Sequence, residues 1–309
     1  MRVVLSADME AISGITDVRQ ILGSCAEYWE SGRQHMTDDV VAAAAGLLEG
    51  GATEVVVLDN HGAGAPWNIF REQLPEGARG EGWNVFDLPG HEVDAMLQVG
   101  YHPRAGVPAF APHSYIPGLH LFLDGEVIGE SHGRIWAAGT RLLGIVGHAA
   151  HQRTLGSLAG TPFLVVQDGE DPHHAVSRHG DAEAAGDAIR EFARESAEGI
   201  ADAPRPAVPQ AALFEAAIDD LNDEQAANMT AAGWARAGDD RHAIELTHWA
   251  DAREPLAAAM GAAMAPFLEP WSHLDLSSSE AFVAQDQDRL NDLTAMFVTW
   301  IGRMAGDSS

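Results

Sequence analysis

The feature that most constrains the fold is a strand–helix–strand pattern in the first sixty residues. Apolar runs at 2–7 and 54–58 predict two buried strands. Between them, Thr37 and the two aspartates after it predict the N-cap and the acidic first turn of a helix, which Gly50 and Gly51 end. Because parallel strands need a crossover connection, this pattern is a βαβ unit and indicates a parallel sheet.

Later segments continue the pattern, and we expect an α/β fold. A mostly parallel sheet with flanking helices should carry the functional site, beside a smaller α+β region and a C-terminal helical extension. The further strand candidates are 95–100, 118–123 and 162–166, a helix is expected at 181–199, and a strand–helix–strand unit is expected at 211–250.

Three domains are expected along the chain. They are 1–170 (α/β, carrying the site), 171–265 (smaller α+β) and 266–309 (helical extension). The extension is predicted from an apolar stripe at helical spacing, formed by Leu290, Leu293, Phe297 and Trp300.

Charge and composition limit the kinds of partner and cofactor that the chain can bind. There are 46 acidic against 18 basic residues, a formal net charge of −28, which disfavours a nucleic-acid partner. Cys25 is the single cysteine, so a thiolate zinc cluster and an intrachain disulfide are excluded. Carboxylates together with fifteen histidines are instead the ligands of a hard to borderline divalent metal.

No membrane partner is expected. The sequence has no apolar run of membrane-spanning length. Its first residues also lack the apolar stretch of a signal peptide. We therefore expect a cytoplasmic protein.

Acidic residues and histidines follow several of the predicted strands. In open α/β sheets, ligands bind beyond the carboxyl ends of the strands, so these side chains should meet. Each of them alone would more often be an ordinary polar residue, but together they predict a site for two metal ions. The candidate residues are Asp8, Glu10, His61, His102, His113 and Glu130.

These residues lie in motifs that resemble a known family. SADMEAISGI, GATEVVVLDNHG, VGYHPRAG, PHSY and VIGES resemble, in order and spacing, the M55 metallopeptidases, the family of the zinc-dependent D-aminopeptidase of dipeptide-transport operons. The resemblance covers residues 1–138 closely. The ligands that it implies are Asp8 as the bridge between two Zn²⁺ ions, Glu10 and His102 for one ion, and His61 and Glu130 for the other.

The resemblance also implies an activity. The expected function is hydrolysis of the N-terminal amide bond of short peptides or amino-acid amides, with D-residues, by a metal-activated water. His113 corresponds to the family's catalytic histidine, and it would either stabilise the oxyanion or carry a proton to the leaving amine. A homo-oligomer, such as a decamer, is implied as well.

Departures from the family pattern leave alternatives open. Residues 139–160 are expected to be a surface insertion with incidental histidines, although His148 and His151 within it could also share a helical face and bind a metal. Asp59 could orient a ligand or cap a turn. An amidase for another small non-peptide amide is the second candidate, and a non-catalytic metal-dependent amine-binding protein is the third. A phosphoesterase ranks lower, because Arg104 is the sole basic residue near the motifs.

Overall fold

The described part of the chain forms two β-sheets with helices packed on them. The computed structural model describes residues 1–61, 67–81, 93–116, 118–203, 205, 212–219, 221–238, 240–247, 249–269 and 295. The strands are β1 (Arg2–Ala7), β2 (Glu54–Asp59), β3 (Ala78–Glu81), β4 (Ala95–Tyr101), β5 (Leu119–Leu123), β6 (Glu126–Ile128), β7 (Arg141–His148), β8 (Phe163–Asp168), β9 (Val176–Ser177), β10 (Ala212–Ile218), β11 (Ala235–Arg236) and β12 (His242–Leu246). The helices are α1 (Ala26–Glu49), α2 (Glu130–Ala138), α3 (Ala149–Gln152), α4 (Ala182–Glu198), α5 (Asp223–Ala231) and α6 (Arg253–Leu268).

The larger sheet has the strand order β3-β2-β1-β4-β7-β8-β9, and all its pairings are parallel except that of β8 with β9. One face packs against α1 and α4 in an apolar core. The other face packs against α2 and the turn after α3. Helices on both faces account for the nearly continuous apolar runs of the inner strands, and the predicted α/β fold is confirmed.

The predicted start of the first helix is wrong. Helix α1 begins at Ala26, and Thr37 lies inside it, where its hydroxyl donates to the Arg33 carbonyl at 2.8 Å. The early part of α1 contains Gly32, where a Cβ would lie 2.0 Å from the Gln20 carbonyl oxygen. This glycine is therefore required by a close contact with the preceding turn, and it does not mark the end of a helix.

The expectation of a surface insertion at 139–160 is also wrong. Strand β7 lies between β4 and β8, in the interior of the larger sheet. Its apolar run is interrupted by Gly144 and Gly147, which hid it from pattern analysis. A Cβ at Gly144 would meet the Phe192 ring at 2.6 Å, and one at Gly147 would meet the Tyr101 carbonyl oxygen at 2.3 Å. Close packing on both sides of β7 thus explains the glycines.

The smaller sheet has the order β11-β12-β10-β5-β6, with antiparallel pairings throughout. A hairpin joins β5 to β6 through Asp124 and Gly125, both at positive φ (48° and 81°), as the tight Asp-Gly turn requires. The apolar core of this sheet includes α5 and α6. Since β5 pairs with β10 on one side and with β6 on the other, this sheet crosses the expected boundary at residue 170. The three-domain division stays a prediction.

The C-terminal region is described through α6 to residue 269, and again at residue 295. The predicted apolar stripe at 290–300 and most of the predicted extension 266–309 lie outside the described residues. Within the described part of the chain, no helix is both long and apolar enough to cross a membrane.

Candidate metal centre

The predicted site residues meet at the carboxyl edge of the larger sheet. Strand β1 pairs in parallel register with β2 on one side and with β4 on the other. Because the carboxyl ends of these strands lie together, the side chains that follow them meet. These side chains are Asp8 and Glu10 after β1, His61 after β2 and His102 after β4.

One half of the cluster joins His61 to the two carboxylates after β1. Its Nδ1 lies 3.1 Å from Glu10 Oε1 and 3.5 Å from Asp8 Oδ1. Its Nε2 lies 2.8 Å from the Ile21 carbonyl oxygen. Since a carbonyl oxygen only accepts, Nε2 carries a hydrogen, and Nδ1 is the atom that His61 can offer to a metal.

The other half joins His102 to Glu130, the first residue of α2, which the β5–β6 hairpin precedes. His102 Nε2 lies 2.5 Å from Glu130 Oε1 and 3.5 Å from Asp8 Oδ2. His102 Nδ1 lies 2.9 Å from the Pro103 carbonyl oxygen, to which it donates. Asp8 therefore presents one carboxylate oxygen to each half of the cluster.

The nearest contacts differ from the division of ligands that the resemblance implies. His61 is closest to Glu10, and His102 is closest to Glu130, whereas the resemblance groups Glu10 with His102. Asp8, Glu10 and His102 nevertheless offer ligand atoms within 4.8 Å of one another. Asp8 is the shared residue in either division, and the allocation of ligands to each ion stays a prediction.

His113 lies beside this cluster. Its ring stacks on that of His102, with centroids 3.8 Å apart and planes inclined by 9°. Its Nδ1 lies 3.0 Å from the Ala111 carbonyl oxygen and donates to it, so that Nε2 faces the carboxylates, 4.0 Å from Glu10 Oε1. His113 also offers a ligand atom within 4.8 Å of those of His102 and Glu130.

The loop around His113 adopts uncommon backbone angles. Ala111 and Tyr115 have φ values of 42° and 64°, which are unfavourable for residues with a side chain. Hydrogen bonds hold the loop, from the Ala111 N–H to the Pro172 carbonyl and from the His113 N–H to the Pro103 carbonyl, each at 3.2 Å. Such backbone strain is found most often at functional sites.

Burial and neighbouring charges set the protonation of the cluster. Burial opposes the charge of Asp8, but its attraction to the nearby rings of His102 and His61 outweighs this effect and holds its pKa well below the usual range. Burial would lower the pKa values of both histidines, yet Glu10 beside His61 and Glu130 beside His102 raise them well above the usual range. A divalent cation would displace these protons on binding.

The pKa of His113 moves in the opposite direction. Burial lowers it first, and the positive charge of His102 lowers it further. His113 is therefore a neutral imidazole near pH 7. Because Nδ1 carries its hydrogen, the free lone pair is on Nε2, and that atom is a proton acceptor.

Asp59 acts through the backbone. Its carboxylate accepts from the Asn68 N–H at 2.6 Å, the Asn68 side-chain amide at 2.9 Å and the Ile69 N–H at 3.2 Å. The same Asn68 amide donates to the carbonyl oxygen of His61 at 2.7 Å. Asp59 therefore caps this turn and supports the backbone of His61 only through Asn68.

His148 and His151 do not form a second metal site. His148 uses both ring nitrogens, since Nε2 donates to the Gly169 carbonyl at 3.1 Å and Nδ1 accepts from the Ala150 N–H at 3.0 Å. His151 Nε2 lies 2.9 Å from the hydroxyl of Ser131. Both histidines are buried, which excludes the expectation of incidental surface residues.

The sequence analysis missed a buried cation beside the site. Arg134 is 4 % exposed, on α2 one turn after Glu130, and its guanidinium lies 5.9 Å from the centre of the Tyr115 ring. The spacing of four residues from Glu130 on a helix could have identified it. The basic residue that was named, Arg104, is not the only one near the motifs.

One contact shows that the cluster suits a divalent metal. His102 Nε2 and Glu130 Oε1 lie 2.5 Å apart, yet neither makes a hydrogen bond of acceptable geometry with the other or with any other described residue. Buried polar atoms without partners are rare in proteins and call for a ligand. Carboxylate oxygens and imidazole nitrogens without thiolates are a donor set that zinc accepts.

Known proteins resemble this chain in sequence and in fold. The family model Peptidase_M55, described as D-aminopeptidase, matches residues 1–254. The D-aminopeptidase of Bacillus subtilis (strain 168) is 31 % identical over 145 residues, which cover 45 % of this chain and 52 % of that protein, so the chain spans about half the length of this curated relative.

The fold is also that of a solved structure. The Zn-dependent D-aminopeptidase DppA from Bacillus subtilis, described as a self-compartmentalizing protease, superposes with a TM-score of 0.73 at 20 % sequence identity. The superposition covers 85 % of this chain and 98 % of that chain. At this identity the likeness establishes the shared fold.

Proposed function

The chain belongs to the M55 peptidase family, and from that premise we propose that it is a zinc-dependent aminopeptidase. Its substrates would be short peptides or amino-acid amides with an N-terminal D-residue. The observation that carries the proposal is the meeting of three carboxylates and two histidines at one sheet edge, with Asp8 between the two halves. The names of both relatives support peptide hydrolysis and the D-configuration.

We propose two zinc ions per subunit, with Asp8 shared between them. The ligand atoms of Asp8 support this arrangement, because each carboxylate oxygen lies 3.5 Å from a different histidine. The remaining ligands would be Glu10, His61, His102 and Glu130. When bound, zinc would polarise the scissile carbonyl and lower the pKa of a coordinated water.

His113 would move the proton. Its neutral ring accepts at Nε2, the atom that faces the carboxylates, and its Nδ1–H donates to the Ala111 carbonyl oxygen. An oxyanion stabiliser would need a hydrogen on Nε2 from the start, so the geometry favours a proton shuttle over that role. After taking a proton from the attacking water, Nε2 would deliver it to the leaving amine.

A homo-oligomer is part of the proposal. DppA is described as self-compartmentalizing. We extend self-association to this chain, and the decamer and the cytoplasmic location stay predictions. Light scattering coupled to gel filtration would give the number of subunits directly.

Paired substrates test the function. Zinc-loaded protein is incubated with D- and L-alanyl amides and with the matching dipeptides, and metal content is measured on the same sample. Selective cleavage of the D-series at two metals per chain is the expected result. Bound metal without cleavage of either series would contradict the aminopeptidase proposal and favour an amidase for another small amide.

A further inference from the structure

We propose that two buried glutamines, Gln98 on β4 and Gln167 on β8, are positioning residues for the metal centre. Their side-chain amides hold the carbonyl of Ser131, the residue after Glu130, and the carbonyl of Glu10, and so position those two carboxylates. This inference rests on the proposed zinc ligands and adds to them two residues that do not themselves bind metal.

Gln167 holds the loop that carries Glu10. Its Nε2 donates to the carbonyl oxygen of Glu10 at 3.0 Å and to that of Ile15 at 2.7 Å, and lies 3.4 Å from that of Ile12. Strands β4 and β7 lie between β1 and β8, so the loop after β1 crosses the edge of the sheet to reach this amide. A single side chain therefore ties two carbonyls of the crossing loop and lies beside a third.

The same loop is held on its other side by α1. Asp39 accepts from the Ser13 N–H at 2.7 Å and from the Ser13 hydroxyl at 2.5 Å. The Ala11 N–H donates to the Gly100 carbonyl at the end of β4, at 3.0 Å. Asp39 and Gly100 fix the loop at Ser13 and Ala11, whereas Gln167 holds the backbone of Glu10 itself.

Gln98 has the corresponding place beside Glu130. Its Nε2 donates to the carbonyl oxygen of Ser131, the next residue along α2, at 3.2 Å. The hydroxyl of Ser131 bonds with His151 Nε2 at 2.9 Å. The first turn of α2 is thereby fixed by two buried side chains, one from β4 and one from α3.

Stability alone does not explain a glutamine at either position. Both side chains are fully buried, and neither Oε1 has a hydrogen-bond partner among the described residues. Burying an amide oxygen without a partner is unfavourable, and this cost offsets part of what the Nε2 hydrogen bonds contribute to stability. What the glutamine provides at both places is the Nε2 donor, and both donors act on backbone next to a proposed ligand.

Removing the donor should loosen the ligand rather than unfold the protein. Partners that orient metal ligands typically change metal affinity by about 10–100-fold when they are lost. We expect Gln167→Met and Gln98→Met to raise the zinc dissociation constant within that range. Gln167→Leu and Gln98→Leu likewise lack the donor and should do the same.

The experiment compares these variants with wild type and with Gln225→Met. Gln225 is buried in the smaller sheet's layer, where its amide caps α5 by bonding with Asn222. Zinc dissociation constants come from competition with a chelator, the visible spectrum of Co²⁺-substituted protein reports ligand geometry, and the Tm is measured without metal. The control should lower the Tm and leave the dissociation constant and the spectrum unchanged.

Each outcome decides the proposal. Weaker zinc binding with an altered Co²⁺ spectrum, in variants that still fold, is the expected result. Dissociation constants within twofold of wild type, a lowered Tm alone, or unfolding of every donor-free variant would overturn it. Wild type that binds no zinc would overturn both this inference and the proposed function. Wild type that binds zinc without cleaving peptides would overturn only the function.

Discussion

The two sheets differ in where they place polar groups. The inner strands of the larger sheet end in buried carboxylates, imidazoles and amides that meet at one edge. The smaller sheet packs its helices on an apolar cluster that includes Phe214 and Trp234, whose ring centroids lie 5.4 Å apart. Among the described residues of β10–β12, α5 and α6, the buried polar ones are Glu215, Gln225 and His242.

This difference indicates that the larger sheet carries the candidate metal centre and that the smaller sheet contributes mainly to stability. In the larger sheet, helices on both faces exclude water, so the buried charges act on one another strongly and a cation can replace the protons between them. In β10 of the smaller sheet, two neighbouring side chains differ in exposure: Leu213 is 41 % exposed and Phe214 is fully buried. Changes in the first sheet should therefore alter metal binding and catalysis, and changes in the second should alter stability.

The largest effect is expected from Asp8→Ala. This substitution removes the carboxylate that both halves share, so zinc and turnover should both fall below detection. Elemental analysis of purified protein measures the zinc. Asp219→Ala serves as the control, because that side chain is 66 % exposed at the end of β10. Full zinc occupancy in the Asp8 variant would show that Asp8 is not the shared ligand.

His113→Ala should separate catalysis from binding within the larger sheet. Loss of a general acid or base typically lowers kcat by about 10²–10⁴-fold, while the proposed zinc ligands remain in place. Steady-state kinetics and metal analysis on the same sample check both parts. His120→Ala, at a half-buried histidine of the smaller sheet, should change neither. If zinc were lost from the His113 variant, His113 would be a ligand instead.

Phe214→Ala tests the supporting role of the smaller sheet. Truncating a buried phenylalanine should lower the free energy of unfolding by about 3–5 kcal/mol. Leu213→Ala, one residue earlier and exposed, should change it by roughly 0.5 kcal/mol or less. Denaturant titration measures both. A zinc dissociation constant that rises in the folded Phe214 variant would show that the two sheets are energetically coupled.

Asp39, on α1 beside the larger sheet, should make the free energy of unfolding depend on pH. Burial raises its pKa to about 7 from an ordinary value of 3.8. The folded protein therefore holds this proton more tightly than the unfolded chain does. From this group, the free energy of unfolding should fall as the pH rises from about 4 to 7, by at most about 4 kcal/mol, and then level off.

Comparison with Asp39→Asn isolates this effect from the other titrating groups. Over the same pH range, the stability of the variant should improve relative to wild type, whatever its absolute value. Denaturant titrations at intervals between pH 4 and 8 give the difference. A difference that does not change with pH would show that the proton of Asp39 is held no more tightly in the folded protein.

Local patterns in the sequence anticipated much of the sheet edge. Strands β1, β2 and β4 each contain a short apolar run, and Asp8, His61 and His102 follow within two residues of the strand ends. Strand β7 was not predicted because Gly144 and Gly147 interrupt its apolar run. These glycines are required by close contacts with Phe192 and Tyr101, which belong to other elements. The start of helix α1 was placed too late for a different reason, since Thr37 and the two aspartates after it have the pattern of an N-cap although they lie inside the helix.

The sequence by itself determined the fold class and the residue types that follow the strands, because apolar periodicity and strand ends are local properties of the chain. Only the tertiary structure decided which of the proposed ligands lie together, with His61 nearest to Glu10 and His102 nearest to Glu130. It also brought Gln167 from a distant strand to the carbonyl of Glu10. Strand order and loop path depend on contacts between residues far apart in the chain, and no local pattern specifies them.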